Sequence, residues 1–192
     1  MKNNRLERIG EIHTSKNGDV FVIIDYKNKA NVTIKFLDEY GAIINVEYGN
    51  ICKGSIKNPY SATVCGVGKI GLLPNGTKPK TRNDGKHTKE YKVWHSMLCR
   101  CYTEQYQKNG HTYKDVTVCD RWLVFANFLE DLPLIEGYNE WIASTNVYEY
   151  ALDKDIKGNG SKVYCLENCC FITFSDNSKE RNERLGNPLI KK

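Results

Sequence analysis

The chain has 192 residues, of which 40% are hydrophobic and 27% are charged, proportions typical of a folded protein and not of a disordered one. It carries 28 Lys and Arg against 23 Asp and Glu, and the resulting net charge of +5 suits a polyanionic partner such as nucleic acid without requiring one. No apolar run approaches the roughly 18 residues that cross a bilayer, which excludes a membrane-spanning helix.

The N-terminal stretch MKNNRLERIGEIHTSK lacks the apolar core of a signal peptide. We therefore expect a cytoplasmic protein with no membrane partner. In such a compartment the eight cysteines favour free thiols or metal ligands over a disulfide framework. Zinc is accordingly one of the cofactors that the composition admits.

Residues 19–48 read DVFVIIDYKNKANVTIKFLDEYGAIINVEY, in which β-branched and aromatic runs are separated by turn residues at 27–29 and 38–41. The pattern predicts three antiparallel strands. The glycine-rich segment 49–71 predicts turns and one short strand rather than helix. Together these elements form a predicted first domain, a β-rich module of residues 1–73.

Residues 74–89, PNGTKPKTRNDGKHTK, combine prolines and glycines with several Lys and Arg and offer little to a hydrophobic core. They predict a basic linker. One interpretation is a solvated tether between two domains. The other is an arm that follows DNA phosphates and releases counterions as it neutralises them.

After the linker, EYKVWHSMLCRCY places Trp94, Leu98 and Cys101 at three- and four-residue spacing, which predicts an amphipathic helix. A second amphipathic helix, DRWLVFANFLEDL, is predicted to begin at Asp120 and to end at Pro133. We interpret the aromatic residues on both helices as core residues rather than as platforms for base stacking.

The last third contains an apolar segment around Leu152, the loop IKGNGSK, the β-rich segment VYCLENCCFIT and the charged segment SDNSKERNERL. Ser175 is predicted to cap a helix that begins at Asp176. The order strand, loop, strand and helix is the outline of a ββα-metal finger. The predicted fold class is therefore α+β, with an N-terminal antiparallel β module followed by an α+β domain, residues 90–192, that contains the finger.

The runs YKVWHSMLCRCY, TYKDVTVCDRWLVFANFLEDL and LDKDIKGNGSKVYCLENCCFITFSDNSKERN resemble the HNH, or His-Me finger, endonucleases of phages, homing elements and small restriction systems. The resemblance covers residues 90–182 and is closest to a branch whose finger begins Leu-Asp-Arg-Ile-Asp. It implies a metal-dependent, sequence-specific DNA endonuclease that hydrolyses phosphodiester bonds.

In this resemblance Asp153 corresponds to the metal-binding aspartate at the end of the first strand, and Asn177 to the metal ligand on the helix. Mg²⁺ or Mn²⁺ bound by these oxygens would keep positions open for phosphate and water. Asn168 corresponds to the middle asparagine that ties the two strands together. Without the resemblance, Asp153 to Asp155 would be more typical of a charged strand end before a turn than of a metal site.

Lys154 stands where most of the superfamily has the histidine that takes a proton from the attacking water. A lysine is ordinarily protonated at neutral pH, so the base comes from elsewhere or catalysis is reduced. Asp155 and His95 are the candidate bases, with His87 and His111 as further histidines. Lys154 itself is expected to contact a phosphate oxygen. The alternative function is a non-catalytic DNA-binding protein with a degenerate finger.

Cys101, Cys119 and Cys169 stand where related sequences also carry cysteine, and with Cys165 they are the predicted ligands of a structural Zn²⁺. The alternative interpretation is that these cysteines are buried free thiols that pack as small hydrophobic side chains.

Double-stranded DNA is the predicted partner, and cutting both strands requires two active sites, so a homodimer is expected. Tyr26 is a further candidate for DNA contact. The basic residues expected to contact DNA phosphates lie in the β module, the linker and the last helix: Lys35, Lys53, Lys57, Lys69, Lys78, Lys80, Arg82, Lys179 and Arg181.

Overall fold

The computed structural model describes residues 7–109, 114–146, 149–158 and 160–184. The chain forms two compact units, one of Met1–Ser61 with Lys69–Pro79 and the other of Ala62–Gly68 with Lys80–Lys192. The short stretch Ala62–Gly68 thus belongs to the second unit although the first unit flanks it in sequence. Strands and helices are both present, and the predicted α+β class is confirmed.

The first unit contains a four-stranded antiparallel sheet whose strands lie side by side in chain order. The strands predicted within residues 19–48 are all present, and one edge strand precedes them. Alternate residues of the two central strands are buried because successive side chains point to opposite faces of a sheet. The four strands are β1 (Ile12–Thr14), β2 (Val20–Asn28), β3 (Asn31–Phe36) and β4 (Ile43–Val46).

A five-residue helix, α1 (Tyr48–Cys52), lies where the sequence predicts turns and a strand, so that prediction is wrong for these residues. Ile51 is 3% exposed and belongs to the core of the first unit, together with Phe21 and Ile34. So short a helix is not stable by itself in water. Packing of Ile51 therefore holds the helical turn that the local sequence does not predict.

Part of the predicted linker is folded. Strand β5 (Arg82–Asn83) pairs antiparallel with β6 (Lys86–His87). Asp84 and Gly85 join them with φ of 48° and 75°, as the two central residues of a type I′ hairpin turn require. The basic side chains of this segment are thus carried in part by a hairpin within the second unit.

The first predicted amphipathic helix is α2 (Lys89–Tyr102), and it is followed by α3 (Glu104–Asn109). Thr88 caps α2, since its side-chain oxygen accepts a hydrogen bond of 3.2 Å from the Tyr91 amide. The buried face of α2 consists of the residues at three- and four-residue spacing, which are Tyr91, Trp94, Met97, Leu98 and Cys101.

The second predicted helix is broken. A 3-10 helix spans Asp120–Leu123, Val124 is extended, α4 spans Phe125–Asp131, and a second 3-10 turn spans Leu132–Leu134. The break has a tertiary cause. The indole N–H of Trp94 donates a hydrogen bond of 2.7 Å to the carbonyl oxygen of Trp122. That carbonyl is then bonded to another helix instead of to the helical turn that would follow it.

A hydrogen-bond network surrounds Asp131, which is 8% exposed. Its carboxylate accepts hydrogen bonds from Arg121 Nε at 2.8 Å, from Arg121 Nη2 at 3.0 Å and from the Trp122 indole N–H at 2.8 Å. Burial by itself raises the pKa of Asp131, but the hydrogen bonds from Arg121 and Trp122 outweigh burial and hold the pKa below its usual range.

Replacing Asp131 with asparagine is expected to lower the free energy of unfolding at pH 7 by about 1.5–3 kcal/mol, because bonds to a charged acceptor are lost. Since the folded pKa is depressed, this stabilisation is complete above about pH 4 and is lost as the pH falls through the folded pKa. Urea unfolding at pH 7 and at about pH 3 should therefore show the deficit of Asp131→Asn shrinking in acid. An equal deficit at both pH values would contradict this role of the carboxylate.

The remaining elements of the second unit follow in short pieces. Strand β7 (Thr117–Val118) pairs parallel with β9 (Val163–Tyr164), and strand β8 (Tyr150–Asp153) pairs antiparallel with β10 (Cys170–Thr173). The helices of this part are α5 (Tyr138–Ala143), α6 (Asp155–Gly158) and α7 (Phe174–Arg184). None of the helices within the described ranges is long and apolar enough to cross a membrane.

Candidate functional site

The C-terminal segment of the second unit begins with strand β8 and ends with strand β10 and helix α7, and the stretch predicted as a loop after β8 contains part of helix α6. In the β8–β10 pair Asp153 lies opposite Cys170 and Tyr150 lies opposite Thr173. Helix α7 follows β10 directly and packs against both strands. Thr173 caps its first turn, since the Thr173 hydroxyl oxygen accepts a hydrogen bond of 3.1 Å from the Asp176 amide. The prediction that Ser175 caps this helix is therefore wrong.

Asp153 lies at the C-terminal end of β8 and is 7% exposed. Its Oδ1 accepts hydrogen bonds from the amides of Asp155 at 2.8 Å and Ile156 at 3.0 Å, and so caps the short helix α6. No ion pair within the described residues includes Asp153. The carboxylate is thus buried and held by backbone amides, with Oδ1 engaged in both of these bonds.

Lys154 turns inward rather than toward solvent. It is 6% exposed, and its Nζ donates to Asp155 Oδ1 at 2.5 Å and to the carbonyl oxygen of Ser161 at 3.0 Å. The ammonium group also lies 5.8 Å from the centre of the Tyr164 ring. Lys154 therefore braces α6 against the loop that follows it.

Asn168 holds the same loop from the other side. Its Nδ2 donates to Ser161 Oγ at 2.9 Å and to the Val163 carbonyl oxygen at 3.0 Å. Gly158 faces this amide closely, since a Cβ on Gly158 would lie 2.9 Å from Ser161 Cβ and 3.2 Å from Asn168 Cβ. Asn177, the other predicted metal ligand, is half-buried in the first turn of α7.

The predicted histidine bases lie on or beside α2. His95 is exposed on α2 and contacts Cys99, one turn further along the helix. His87 stacks on the Tyr91 ring at 4.6 Å, and its Nδ1 lies 3.2 Å from the Thr81 carbonyl oxygen. His111 lies outside the described residues.

A group of two thiols and one imidazole is gathered in the second unit, at Cys65, His95 and Cys99. Their ligand atoms all lie within 4.8 Å of one another, and this group could hold a metal ion. Cys65 Sγ is 3.2 Å from Cys99 Sγ, which in turn is 3.5 Å from His95 Nδ1. Burial, together with the neighbouring Cys99 thiol, raises the pKa of Cys65 to about 12.

The gathered group contains none of the four cysteines predicted to bind zinc. Cys101 and Cys169 are buried, and burial raises the pKa of Cys101 to about 11 and that of Cys169 further. Cys119 and Cys165 are half-buried, and burial raises their pKa values as well. The spacing His95-x₃-Cys99 on a predicted helix was the sequence signal for the observed group, because residues four apart share a helix face.

A groove of about 280 Å³ runs between α2 and the β8–α7 corner. Its α2 wall carries Lys92 and Arg100, and its opposite wall includes Tyr150 and the exposed ring of Phe174. The Arg100 guanidinium lies 5.4 Å from the centre of the same Tyr164 ring that Lys154 approaches. The groove therefore has basic side chains on one wall and aromatic side chains on the other. It lies next to the loop that Lys154 and Asn168 hold by hydrogen bonds.

The predicted DNA-contacting residues are mostly accessible, whereas Tyr26 is 7% exposed in the core of the first unit and packs edge-on against Tyr48. Lys69 is half-buried, and its Nζ donates a hydrogen bond of 2.8 Å to the Tyr40 hydroxyl oxygen. The side chain of Arg181 lies outside the described residues. The exposed members of the predicted set are Lys35, Lys53, Lys57, Lys78, Lys80, Arg82 and Lys179.

Comparison of the chain with protein-family models, with curated proteins and with solved structures finds no match.

Proposed function

We propose that the chain is a divalent-metal-dependent, sequence-specific DNA endonuclease that hydrolyses phosphodiester bonds, of the restriction or homing kind. The proposal rests on Asp153, a carboxylate that is 7% exposed at the end of β8 and that no ion pair reaches within the described residues. The next residue, Lys154, pairs with Asp155 instead. A buried carboxylate without a positive partner is costly, and a bound cation removes that cost.

The donor set suits a hard cation. Oδ1 of Asp153 is engaged by two backbone amides, so Oδ2 is the oxygen proposed to bind the metal, and Asn177 in the first turn of α7 is the proposed second ligand. Oxygen donors of this kind favour Mg²⁺ or Mn²⁺. Such a cation, when bound, stabilises the charge of the pentacovalent phosphate and makes a bound water more acidic. The predicted structural Zn²⁺ is a separate ion in this proposal, because Zn²⁺ favours thiolate and imidazole ligands over these oxygens.

The residues around Asp153 have positioning roles in the proposal. Lys154 is committed to Asp155 and to the Ser161 carbonyl oxygen, so it neither accepts a proton nor reaches a phosphate without breaking these bonds. Asp155, oriented by Lys154, is the candidate that accepts the proton from the attacking water. Asn168 bonds to Ser161 and to the start of β9 and so supports the segment that precedes this strand.

Double-stranded DNA is the proposed substrate. Lys92 and Arg100 line the groove beside the finger, and aromatic side chains at Tyr150 and Phe174 complete it. Phosphate oxygens pair with such cations, while the aromatic rings offer surfaces for sugar or base contacts. Cutting both strands requires two copies of Asp153, so the active form is proposed to be a homodimer.

One observation favours a second candidate function, a non-catalytic DNA-binding protein. The position that carries the histidine base in the resembling family is occupied here by Lys154, which is 6% exposed and paired to Asp155. If no other group accepts the proton, the finger is a fold element and the groove and surface lysines bind DNA without cutting it.

Incubation of the full chain with a panel of plasmid and phage DNA in Mg²⁺, Mn²⁺ or EDTA distinguishes the two functions. An endonuclease is expected to yield discrete fragments with either cation and intact DNA with EDTA. DNA that stays intact in every lane, together with a mobility shift that weakens as salt rises, would contradict the nuclease and support the binding protein. A chain with neither activity would contradict both.

A further inference from the structure

We infer that Cys65, His95 and Cys99 form a binding site for a thiophilic divalent cation, with Zn²⁺ as its metal. This site is distinct in residues and in ligand chemistry from the proposed Asp153 site, and it does not depend on nuclease activity. Its role is to fasten the turn in Ala62–Gly68 to helix α2.

Helix α2 supplies two of the three ligands. His95 and Cys99 are four residues apart and therefore project from the same face, one turn above the other. The Cys99 sulfur lies 3.5 Å from His95 Nδ1 and 3.8 Å from Nε2. His95 is exposed and Cys99 is half-buried, so the pair opens to solvent on one side.

A tight turn supplies the third ligand. The Val67 N–H donates a hydrogen bond of 3.1 Å to the Val64 carbonyl oxygen. The two residues between them, Cys65 and Gly66, have φ angles of 50° and 76°. Two central residues with positive φ are the signature of a type I′ turn. Glycine and asparagine are the usual residues there, and a cysteine with positive φ costs free energy. A bound metal would offset that cost.

The turn is seated directly on α2. Val64 and Gly68 form an antiparallel bridge, and a Cβ on Gly68 would lie 2.5 Å from Leu98 Cδ1 and 2.9 Å from the Trp94 ring. Only glycine allows so close an approach. This contact places Cys65, at the tip of the turn, over the His95–Cys99 face.

The distances between the ligand atoms are close to those of a tetrahedral zinc site. Zn–S bonds of about 2.3 Å and Zn–N bonds of about 2.0 Å separate two sulfurs by about 3.7 Å, and a sulfur from a nitrogen by about 3.5 Å. The observed separations are 3.2 Å for Cys65 to Cys99 and 3.5 Å for Cys99 to His95. Small side-chain rotations accommodate the difference.

Ligand chemistry selects the metal. Thiolates and imidazole bind Zn²⁺ well, whereas Mg²⁺ and Ca²⁺ require oxygen ligands. A cation bound between Cys65 and Cys99 would hold both sulfurs as thiolates and offset the repulsion between them. Three protein ligands leave the fourth tetrahedral position, on the exposed His95 side, to a water molecule.

The test is the metal content of the full chain, purified with reductant and then dialysed against Zn²⁺. The expected result is close to one zinc ion per chain, retained through buffer exchange. Co²⁺ substitution should add thiolate-to-cobalt charge-transfer absorption. Cys65→Ala and His95→Ala should each lower Zn²⁺ affinity by more than about 100-fold, the upper cost of losing only a supporting partner of a ligand.

Two further variants make the test decisive. His95→Cys keeps a zinc ligand and should retain the ion, and Cys52→Ser removes an exposed cysteine of α1 and should behave as wild type. Since His95 is exposed, His95→Ala decides the matter even if Cys65→Ala fails to fold. Wild-type chain that takes up no zinc, or that carries a Cys65–Cys99 disulfide under reducing conditions, would overturn the inference, and so would undiminished binding by His95→Ala.

Discussion

Replacing Asp153 with asparagine is expected to slow metal-dependent DNA cleavage by at least about 100-fold and to leave DNA binding unchanged. The asparagine keeps an Oδ1 acceptor for the amides of Asp155 and Ile156, so α6 stays capped. The negative charge that is proposed to attract the cation is lost. Alanine would remove the cap as well and cost about 1 kcal/mol of stability, which makes asparagine the sharper change. Single-turnover cleavage in Mg²⁺ and a mobility shift in EDTA measure the two effects.

Asp115→Asn is the matched control for this change. Asp115 is an exposed aspartate with φ of 62°, a conformation that asparagine tolerates well, and it pairs with Lys162 at the surface. The control makes the same change in net charge and is expected to cleave as wild type. Full cleavage by Asp153→Asn, or an equal loss in Asp115→Asn, would show that Asp153 does not bind the cation.

Gly137→Ala is expected to destabilise the second unit by about 3 kcal/mol or more, from strain and overlap together. Gly137 has φ of 77°, and a Cβ there would lie 2.2 Å from the Phe171 carbonyl oxygen. The neighbouring Glu136 carbonyl oxygen accepts a hydrogen bond of 2.7 Å from the Phe171 amide. Strand β10 therefore cannot move away from Gly137 without losing that hydrogen bond. The connection before α5 and strand β10 therefore meet at a contact that only glycine permits.

Tryptophan fluorescence during thermal unfolding measures this loss, because all three tryptophans lie in the second unit. The midpoint is expected to fall by roughly 6–12 °C, the usual shift for such a loss in a chain of this size. Gly160→Ala is the control, since Gly160 has a similar φ of 80° with nothing within 4 Å of the added Cβ. It should cost only about 1 kcal/mol of strain. Equal losses in both variants would rule out the overlap with Phe171.

Elements with a clear hydrophobic period were predictable from the sequence. The spacing of Trp94, Leu98 and Cys101 predicted α2, and the alternation in residues 19–48 predicted β2 to β4. Such patterns encode which face of an element is buried, whatever that face packs against. Strands β8 and β10 and helix α7 were predictable for a similar reason, because their strand and turn signals are local, whereas α6 lies where the sequence predicts a loop.

The element boundaries that were predicted wrongly depend on contacts with residues distant in sequence. The helix predicted from Asp120 is interrupted because the Trp94 indole bonds to the Trp122 carbonyl oxygen across 28 positions. Helix α1 forms because Ile51 enters the core of the first unit. No local pattern reports such contacts, since each requires that two separate elements first be brought together.

The candidate sites divide in the same way. The sequence by itself determined the residues at the strand end, Asp153 to Asp155, because their positions follow from local order and from the resemblance of the finger. Only the tertiary structure decided that Lys154 is buried against Asp155 and that Cys65 meets Cys99 across 34 positions. The physical reason is that the residue type alone gives the charge of a side chain and the ligand atoms that it offers. Its burial and its neighbours depend on packing between elements that are far apart in the chain.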